Sequence, residues 1–269
     1  MNPLILIRGG GDLASGVALR LFRVGFQIAI LELDKPLAVR RTVSFSEAVY
    51  EGTQTVEGVT ARLVSADQFQ VALEAGEIPV LIDPQANILR NQFLTSPRTT
   101  FLVDARLLKS EPEPLAVELP LHIGLGPGFS AGDNCHAVIE TRRSHTLGRV
   151  YWQGPAQADS GQPEGDPKRV LRAPVSGNVQ PFKQIGELCR EGERIASING
   201  IEIVSPFDGV LRGLIHPRVD VPAGMKIGDV DPRNDPAMCR IVSDKSLSIG
   251  GGVLEAVLIK LREMEVNSV

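Results

Sequence analysis

No apolar run in this sequence reaches the about 18 residues that a membrane-spanning helix needs, so no transmembrane segment is expected. The N-terminus has no basic stretch leading into a long apolar segment and a cleavage site, so no secretory signal peptide is expected either. Positive charge is not in excess. Lys and Arg total 28 against 32 Asp and Glu, a formal net charge of −4, which removes the electrostatic case for nucleic acid. The pairs Arg40-Arg41 and Arg142-Arg143 are too short to alter that. Cysteine is scarce: Cys135, Cys189 and Cys239 lie far apart with no zinc-type spacing, so no metal is expected. An odd, sparse count suits a reducing compartment, and the expected location is cytoplasmic. No P-loop, HExxH motif or Ser/His/Asp order occurs.

What is present reads as a globular protein of 269 residues, 43% hydrophobic and 22% charged, long enough for two domains. Leu4-Ile5-Leu6-Ile7 is a short continuous apolar run, as expected for a strand buried on both faces of a parallel sheet. After "RGGGD" the period changes: Leu13, Ala14, Val17, Ala18, Leu21 and Phe22 form a helical stripe. Ile28-Ala29-Ile30-Leu31 is a second buried strand ending at Glu32, which completes a βαβ unit. Ser65 can cap a further helix through Ala75. Strands follow at Val80-Leu81-Ile82 and Phe101-Leu102-Val103, each ending at an aspartate, Asp83 and Asp104. These aspartates either face a ligand at the carboxyl edge or cap loops.

From Tyr151 to Lys168 the chain is rich in Gly, Pro and acidic or amide residues and reads as a linker. Beyond it "APVSGNV" matches "SPFDGVL" and "EGERIASI" matches "AGMKIGDV", each pair offset by 32 residues. Short strands repeated once fit two interlocking β-layers and resemble the biotinyl/lipoyl-type barrel-sandwich fold. The turn where that family carries its modified lysine, "SINGIEI", has none, so covalent biotin or lipoate is not expected. The chain closes on a second glycine triplet and a helical stripe through Val253, Leu254, Val257, Leu258 and Leu261. The expected fold is α/β: a Rossmann-like parallel sheet domain over 1–150, a linker over 151–168, a barrel-sandwich-like β domain over 169–245 and a C-terminal helix over 246–269.

The opening turn fits G-x-G-x-x-A as Gly9, Gly11 and Ala14. Such a turn lets backbone approach a pyrophosphate at a helix N-terminus, and the small third residue permits close helix–strand contact. Glu32 follows Gly11 by 21 residues, where an acid would accept hydrogen bonds from a ribose. Asp12 complicates the reading, because a carboxylate at a helix start repels phosphate. It would instead cap the helix or bind a metal, a ribose or a positive group. Ser15 completes this set, and Arg41, beside Arg40, either offsets phosphate charge or belongs to a solvated loop. A second glycine-rich stretch, "HIGLGPGFSAGDNCHAVIET", offers Gly126 and Gly128 as backbone able to wrap a ligand. Cys135 is its one candidate for chemistry, as a soft ligand or sulfur or selenium acceptor, against the alternative of a small core cysteine. Adjacent strand residues point to opposite faces, so Cys135 and His136 make a poor catalytic pair. His122 and His145 are single histidines, more often structural than catalytic.

Taken together, "IRGGGDLASGVALRL", "LELDKPLAVRRTVSFSEAVYEG", "GLGPGFSAGDNCHAVIETRRSHTLGRV", "AGMKIGDVDPR" and "IVSDKSLSIGGGVLEAVL" resemble the accessory proteins of selenium-dependent molybdenum hydroxylase systems. These are relatives of xanthine dehydrogenase accessory proteins. One departure is Arg143-Ser144-His145, where that family more often reads Arg-Gly-His. The resemblance implies a maturation role: handling molybdenum cofactor, a pterin dinucleotide, for an apo-hydroxylase partner. Two alternatives stand beside it. One is an NAD-dependent oxidoreductase, with Glu32 favouring NAD over its phosphorylated form; the other is a docking scaffold for the hydroxylase. Homo-oligomerisation is compatible with each.

Overall fold

The computed structural model describes residues 3–91, 95–96, 99–115, 117–158 and 165–267. The apolar runs of the N-terminal half build one large sheet. Its strands are β1 (Leu4–Arg8), β2 (Gln27–Glu32), β3 (Thr53–Val56), β4 (Val59–Leu63), β5 (Ile78–Ile82), β6 (Thr100–Asp104) and β7 (Leu121–Leu125). After a two-residue β8 (Ser130–Ala131), it is completed by β9 (Ala137–Ile139) and β10 (Val150–Tyr151). The order is β10-β9-β7-β6-β1-β2-β5-β4-β3. Strands β9 through β4 in that order are parallel, and the edges β10 and β3 are antiparallel. The chain builds outward from β1 through β2 to β5, then returns to lay β6 and β7 on the other side of β1. Ligands of open parallel sheets lie at such a reversal, outside the carboxyl ends of the strands.

Among the described residues four α-helices accompany the sheet: α1 (Asp12–Arg23), α2 (Ala48–Glu51), α3 (Phe69–Glu74) and α4 (Asp244–Val266). One sheet face, with Ile5, Ile7, Ile30, Val103 and Ile123, is covered by α1 and α4. The other, with Leu6, Ala29 and Leu102, is covered by α3 and the loop around Ile88. The two long helices cross where side chains are missing: a Cβ on Gly16 would stand 2.5 Å from Ser246 Cβ, and one on Gly250 2.9 Å from Gly16 O. The second glycine triplet, which in sequence precedes the apolar stripe, lies inside α4. Helix propensity is sacrificed there for close approach.

Beyond β10, β11 (Gly154–Pro155) pairs with β8, and residues 159–164 of the expected linker lie outside the described residues. The remaining strands are β12 (Val170–Arg172), β13 (Gly177–Asn178), β14 (Gln180–Pro181), β15 (Leu188–Cys189) and β16 (Arg194–Ile198). They are followed by β17 (Ile201–Val204), β18 (Gly209–Leu214), β19 (Asp220–Val221) and β20 (Lys226–Asp231). Their small core gathers Leu171, Ile195, Ile198, Leu211, Ile227 and Val230.

The expected fold class is corrected on both halves. The first half is a mixed sheet, and its β6-to-β7 crossover carries no helix among the described residues. Pro112, Pro114 and Pro120 fall in that crossover, where each would remove an amide donor and clash with the preceding turn of a helix. The second half forms no barrel sandwich but three small antiparallel sheets: β12-β20-β18-β15, β13-β19 and β14-β16-β17. Prolines 174, 181, 206, 217 and 222 and irregularities in three of the strand pairings keep these ladders short.

Candidate functional site

The turn after β1 is built from inside outward. Gly9 has φ +89°, a left-handed backbone that favours glycine, and its N–H donates to Leu31 O at 2.7 Å. Gly10 is pressed by its neighbours: a Cβ there would lie 2.9 Å from Ser46 N. Gly10 O accepts from Ser46 N, and its N–H donates to Glu32 Oε2 at 2.6 Å. Gly11 differs from both. Its φ of −70° and ψ of −174° suit any residue, and nothing lies within 4 Å of a Cβ built on it. It occupies the N-cap of α1, where no side chain caps the helix. Ser, Thr, Asp or Asn would normally improve that position.

Around this turn the structure brings together Asp12, Ala14, Ser15 and Glu32. Asp12 accepts from Arg40 Nη1 at 2.8 Å and from Ser246 Oγ at 3.0 Å. Its charge is thus paired and drawn toward the start of α4, and an anion at the helix N-terminus would not meet a bare carboxylate. Ala14 is fully packed in the core, the small residue that lets α1 lie on the sheet. Ser15 Oγ accepts from Phe45 N at 2.8 Å and donates to Gly10 O, holding the turn rather than opening outward. Glu32 also accepts from Leu33 N at 2.7 Å. Burial pushes its carboxyl above the ordinary range, an effect that outweighs the two amide donors. Leu33 and Ile82 stand exposed beside it at the carboxyl ends of β2 and β5.

Across the reversal, Arg8 and Asp104 end neighbouring strands and pair in register. Arg8 Nη2 donates to Pro84 O and to Glu113 Oε1, each at 2.6 Å. Arg106 Nη2 donates to Asp104 at 2.6 Å, and its Nη1 to Glu113 at 2.8 Å. The two guanidinium groups hold the Glu113 carboxyl down at about 2, against the cost of its partial burial. Asp83, the other aspartate at a strand end, caps a turn by accepting from Asn87 N and Ile88 N.

The remaining sequence candidates lie elsewhere. Arg41 donates to Leu214 O and Glu47, tying the sheet to the second module. Gly126 and Gly128 pack against the backbone of Leu107, Leu108 and Ser110, so their bareness serves loop-to-loop contact. Cys135 is buried, and burial pushes its thiol up to about 11, far from the thiolate that nucleophilic chemistry or metal ligation needs. His136 Nδ1 accepts from His122 N, so this ring braces the backbone of β7.

Glu47, Glu51 and His216 form a compact trio, with ligand-type atoms all within 4.8 Å of one another. The geometry does not suit a cation. His216 Nδ1 accepts from Arg218 N, which leaves the proton of the neutral ring on Nε2, facing Glu51 at 3.5 Å. Glu47 is already paired with Arg41.

Sequence reasoning did not place Arg8, Asp104, Arg106 and Glu113 in one network, or Ser246 beside Asp12. A charge closing the apolar run "LILIR" was the available signal for Arg8; Ser246 had none.

No family model matches the chain. It is 45% identical over 267 residues to the uncharacterized protein YqeB of Escherichia coli K12, covering 97% of this chain. The chain spans about half the length of that relative, 48%. Among solved structures it aligns with a succinylglutamate desuccinylase/aspartoacylase of Rhodobacter sphaeroides (11% identity, 85% of each chain, TM-score 0.29). It also aligns with the ectoine utilization protein EutE (DoeB) of Ruegeria pomeroyi (12% identity, 85% of each chain, TM-score 0.27). At these TM-scores neither alignment assigns a fold or an activity. The family resemblance read from the sequence is corrected accordingly. The comparisons indicate no molybdenum-hydroxylase accessory family, so neither a maturation role nor a hydroxylase partner is assigned. Neither the oxidoreductase nor the scaffold alternative is supported by these comparisons. No described helix is long and apolar enough to cross a membrane.

Proposed function

We propose that this protein binds a pyrophosphate-bearing nucleotide, NAD being the simplest representative, at the carboxyl edge of β1 and β2. The carrying observation is Gly11. Gly9 and Gly10 are explained by backbone conformation and packing, whereas Gly11 is required by neither. A glycine at an uncapped helix N-terminus, with open space over its α-carbon, leaves room for an anion to reach the first-turn amides. Glu32 at the end of β2 already accepts from Gly10 N and Leu33 N, and the remaining lone pairs of its carboxylate are the acceptor for a ribose hydroxyl; exposed Leu33 and Ile82 offer apolar surface to a base. Pairing of Asp12 with Arg40 removes the repulsion that its charge would otherwise exert. We also place the protein in the cytoplasm, on three buried cysteines that are all unpaired.

Isothermal titration tests this reading directly. NAD and ADP-ribose should bind the native protein, and the 2′-phosphorylated dinucleotide at least about tenfold more weakly, because Glu32 repels the added charge. Gly11→Val should keep the native circular dichroism spectrum and lower the melting temperature only slightly, as a poorer N-cap would, while losing nucleotide binding. Unchanged affinity in Gly11→Val, or no binding of either nucleotide by the native protein, would refute it.

A further inference from the structure

Helix α4 has an outer face that the sheet does not use. Its inner side, with Ile249, Val253, Ala256 and Val257, is buried in the main core, and Leu254, Leu261 and Met264 pack at the margin of that core. A surface helix ordinarily turns polar residues outward. Here Leu258, which the sequence groups with the buried stripe, is 52% exposed, and Ile259 and Val266 are exposed beside it. Among them stand Glu255 and Arg262, both exposed and neither in an ion pair among the described residues. The neighbouring Lys260 and Glu263 pair with each other at 3.4 Å. A shallow groove of about 330 Å³ runs along this side, lined by Ile259, Arg262, Glu263, Val266 and Asn267.

Helix geometry sets these residues in one pattern. At about 100° per residue, Glu255 and Arg262, seven positions apart, project within about 20° of one another. Leu258 and Ile259 lie midway between them along the chain and flank their line on its two sides. A two-fold axis through the midpoint of Leu258 and Ile259, perpendicular to the helix, therefore maps the stripe onto itself with opposite charges facing. In an antiparallel pair built on that axis, Glu255 meets the partner's Arg262 and Arg262 meets the partner's Glu255. Between these two pairs Leu258 meets the partner's Ile259 at the groove. Like charges at 255 and 262 would oppose the same arrangement, so the charge pattern favours self-pairing over a partner of uniform charge. Contacts of this isologous kind build the commonest symmetric oligomers.

We propose that the outer face of α4 binds a second copy of this chain in antiparallel orientation, through Leu258, Ile259 and two symmetry-related Glu255–Arg262 pairs. A contact confined to one helix pair belongs at the small end of the about 1,200–2,000 Å² that stable interfaces bury, so the dimer forms reversibly with concentration. The face shares no residue with the Gly11 crevice, so this dimer and the nucleotide site stand or fall separately.

The test is sedimentation velocity of the full chain over about a hundredfold range of concentration reaching the high micromolar. The native protein should pass from monomer to dimer, at higher concentration when salt is added. Arg262→Glu and Glu255→Arg should each weaken self-association about tenfold or more, because each replaces two attractive pairs by two repulsive ones. Mixed in equal amounts, these two variants should associate about as readily as the native protein, since each presents the charge that the other lacks. Leu258→Asp should remove association altogether. All three positions are exposed, so the circular dichroism spectrum of each variant should remain native. A native chain that stays monomeric throughout, as a face covered by a different protein would leave it, would overturn the proposal. So would a dimer indifferent to both charge reversals, or single variants that fail to associate on mixing.

Discussion

A side chain at Gly9 would have to adopt φ +89°, and one at Gly10 would press on Ser46 N at 2.9 Å, whereas Gly11 carries neither constraint. The sequence pattern named Gly9 and Gly11 and treated Gly10 as a spacer. Tertiary packing makes Gly10 structural, because Ser46, 36 residues further along the chain, lies against it. Cys135 shows the same dependence on surroundings. Its place in a glycine-rich stretch suggested chemistry, but burial raises the thiol to about 11. At pH 7 the thiolate is then roughly one part in ten thousand. Iodoacetamide at pH 7 should leave Cys135 unmodified in the native protein and alkylate it promptly after denaturation, as peptide mass spectrometry would show. Rapid native labelling would contradict the buried environment.

Helices α1 and α4 show how far an element can be read in advance. The stripe of Leu13, Ala14, Val17, Ala18 and Leu21 is legible because helical periodicity is local. That Gly16 and Gly250 form the crossing with α4 is not, because a glycine in sequence equally marks a turn, a cap or a close contact. The environments of these glycines separate the cases. Gly16→Val should destabilise the protein by about 2–3 kcal/mol, since the new side chain meets Ser246 backbone and Cβ with no room to move. Gly251, whose Cβ would meet nothing within 4 Å, should gain about 0.5–1 kcal/mol on substitution by Ala. Urea denaturation of both variants measures the contrast. Equal effects would mean the two helices do not cross at Gly16.

At the scale of the whole molecule, charge links parts that are distant in the chain. Arg40 joins Asp12 to the carbonyls of Met238 and Ile241, and Glu113 joins the β6-to-β7 crossover to Arg8 and Arg106. Glu113 has a folded-state value of about 2 against an ordinary 4.5, so its stabilisation is present above pH 4.5 and is lost as pH falls toward 2. Glu32 acts in the opposite sense: its raised carboxyl favours the protonated form in the fold, so that contribution improves as pH falls toward the ordinary range. Glu113→Gln should therefore lower the urea midpoint at pH 6 and make it less steeply dependent on pH between 4.5 and about 2. An unchanged acid limb in that variant would show that the crossover is not anchored through this carboxylate.

By itself the sequence determined the elements whose cause is local. Continuous apolar runs specify the central strands, and the 3.6-residue stripe specifies α1. The spacing of Gly11 and Glu32 was likewise readable, because a βαβ unit of ordinary length brings those positions to one edge. Only the tertiary structure decided that the sheet is mixed, that the C-terminal β segment divides into three small sheets, and that α4 returns to α1. It also decided which polar groups are spent on one another, as Asp12 is on Arg40 and Ser246, and which, like His122 Nε2, are left without a partner among the described residues. The reason is physical: periodicity and backbone preference act within a few residues, whereas burial, close approach and charge pairing depend on neighbours up to 234 positions away, as between Asp12 and Ser246.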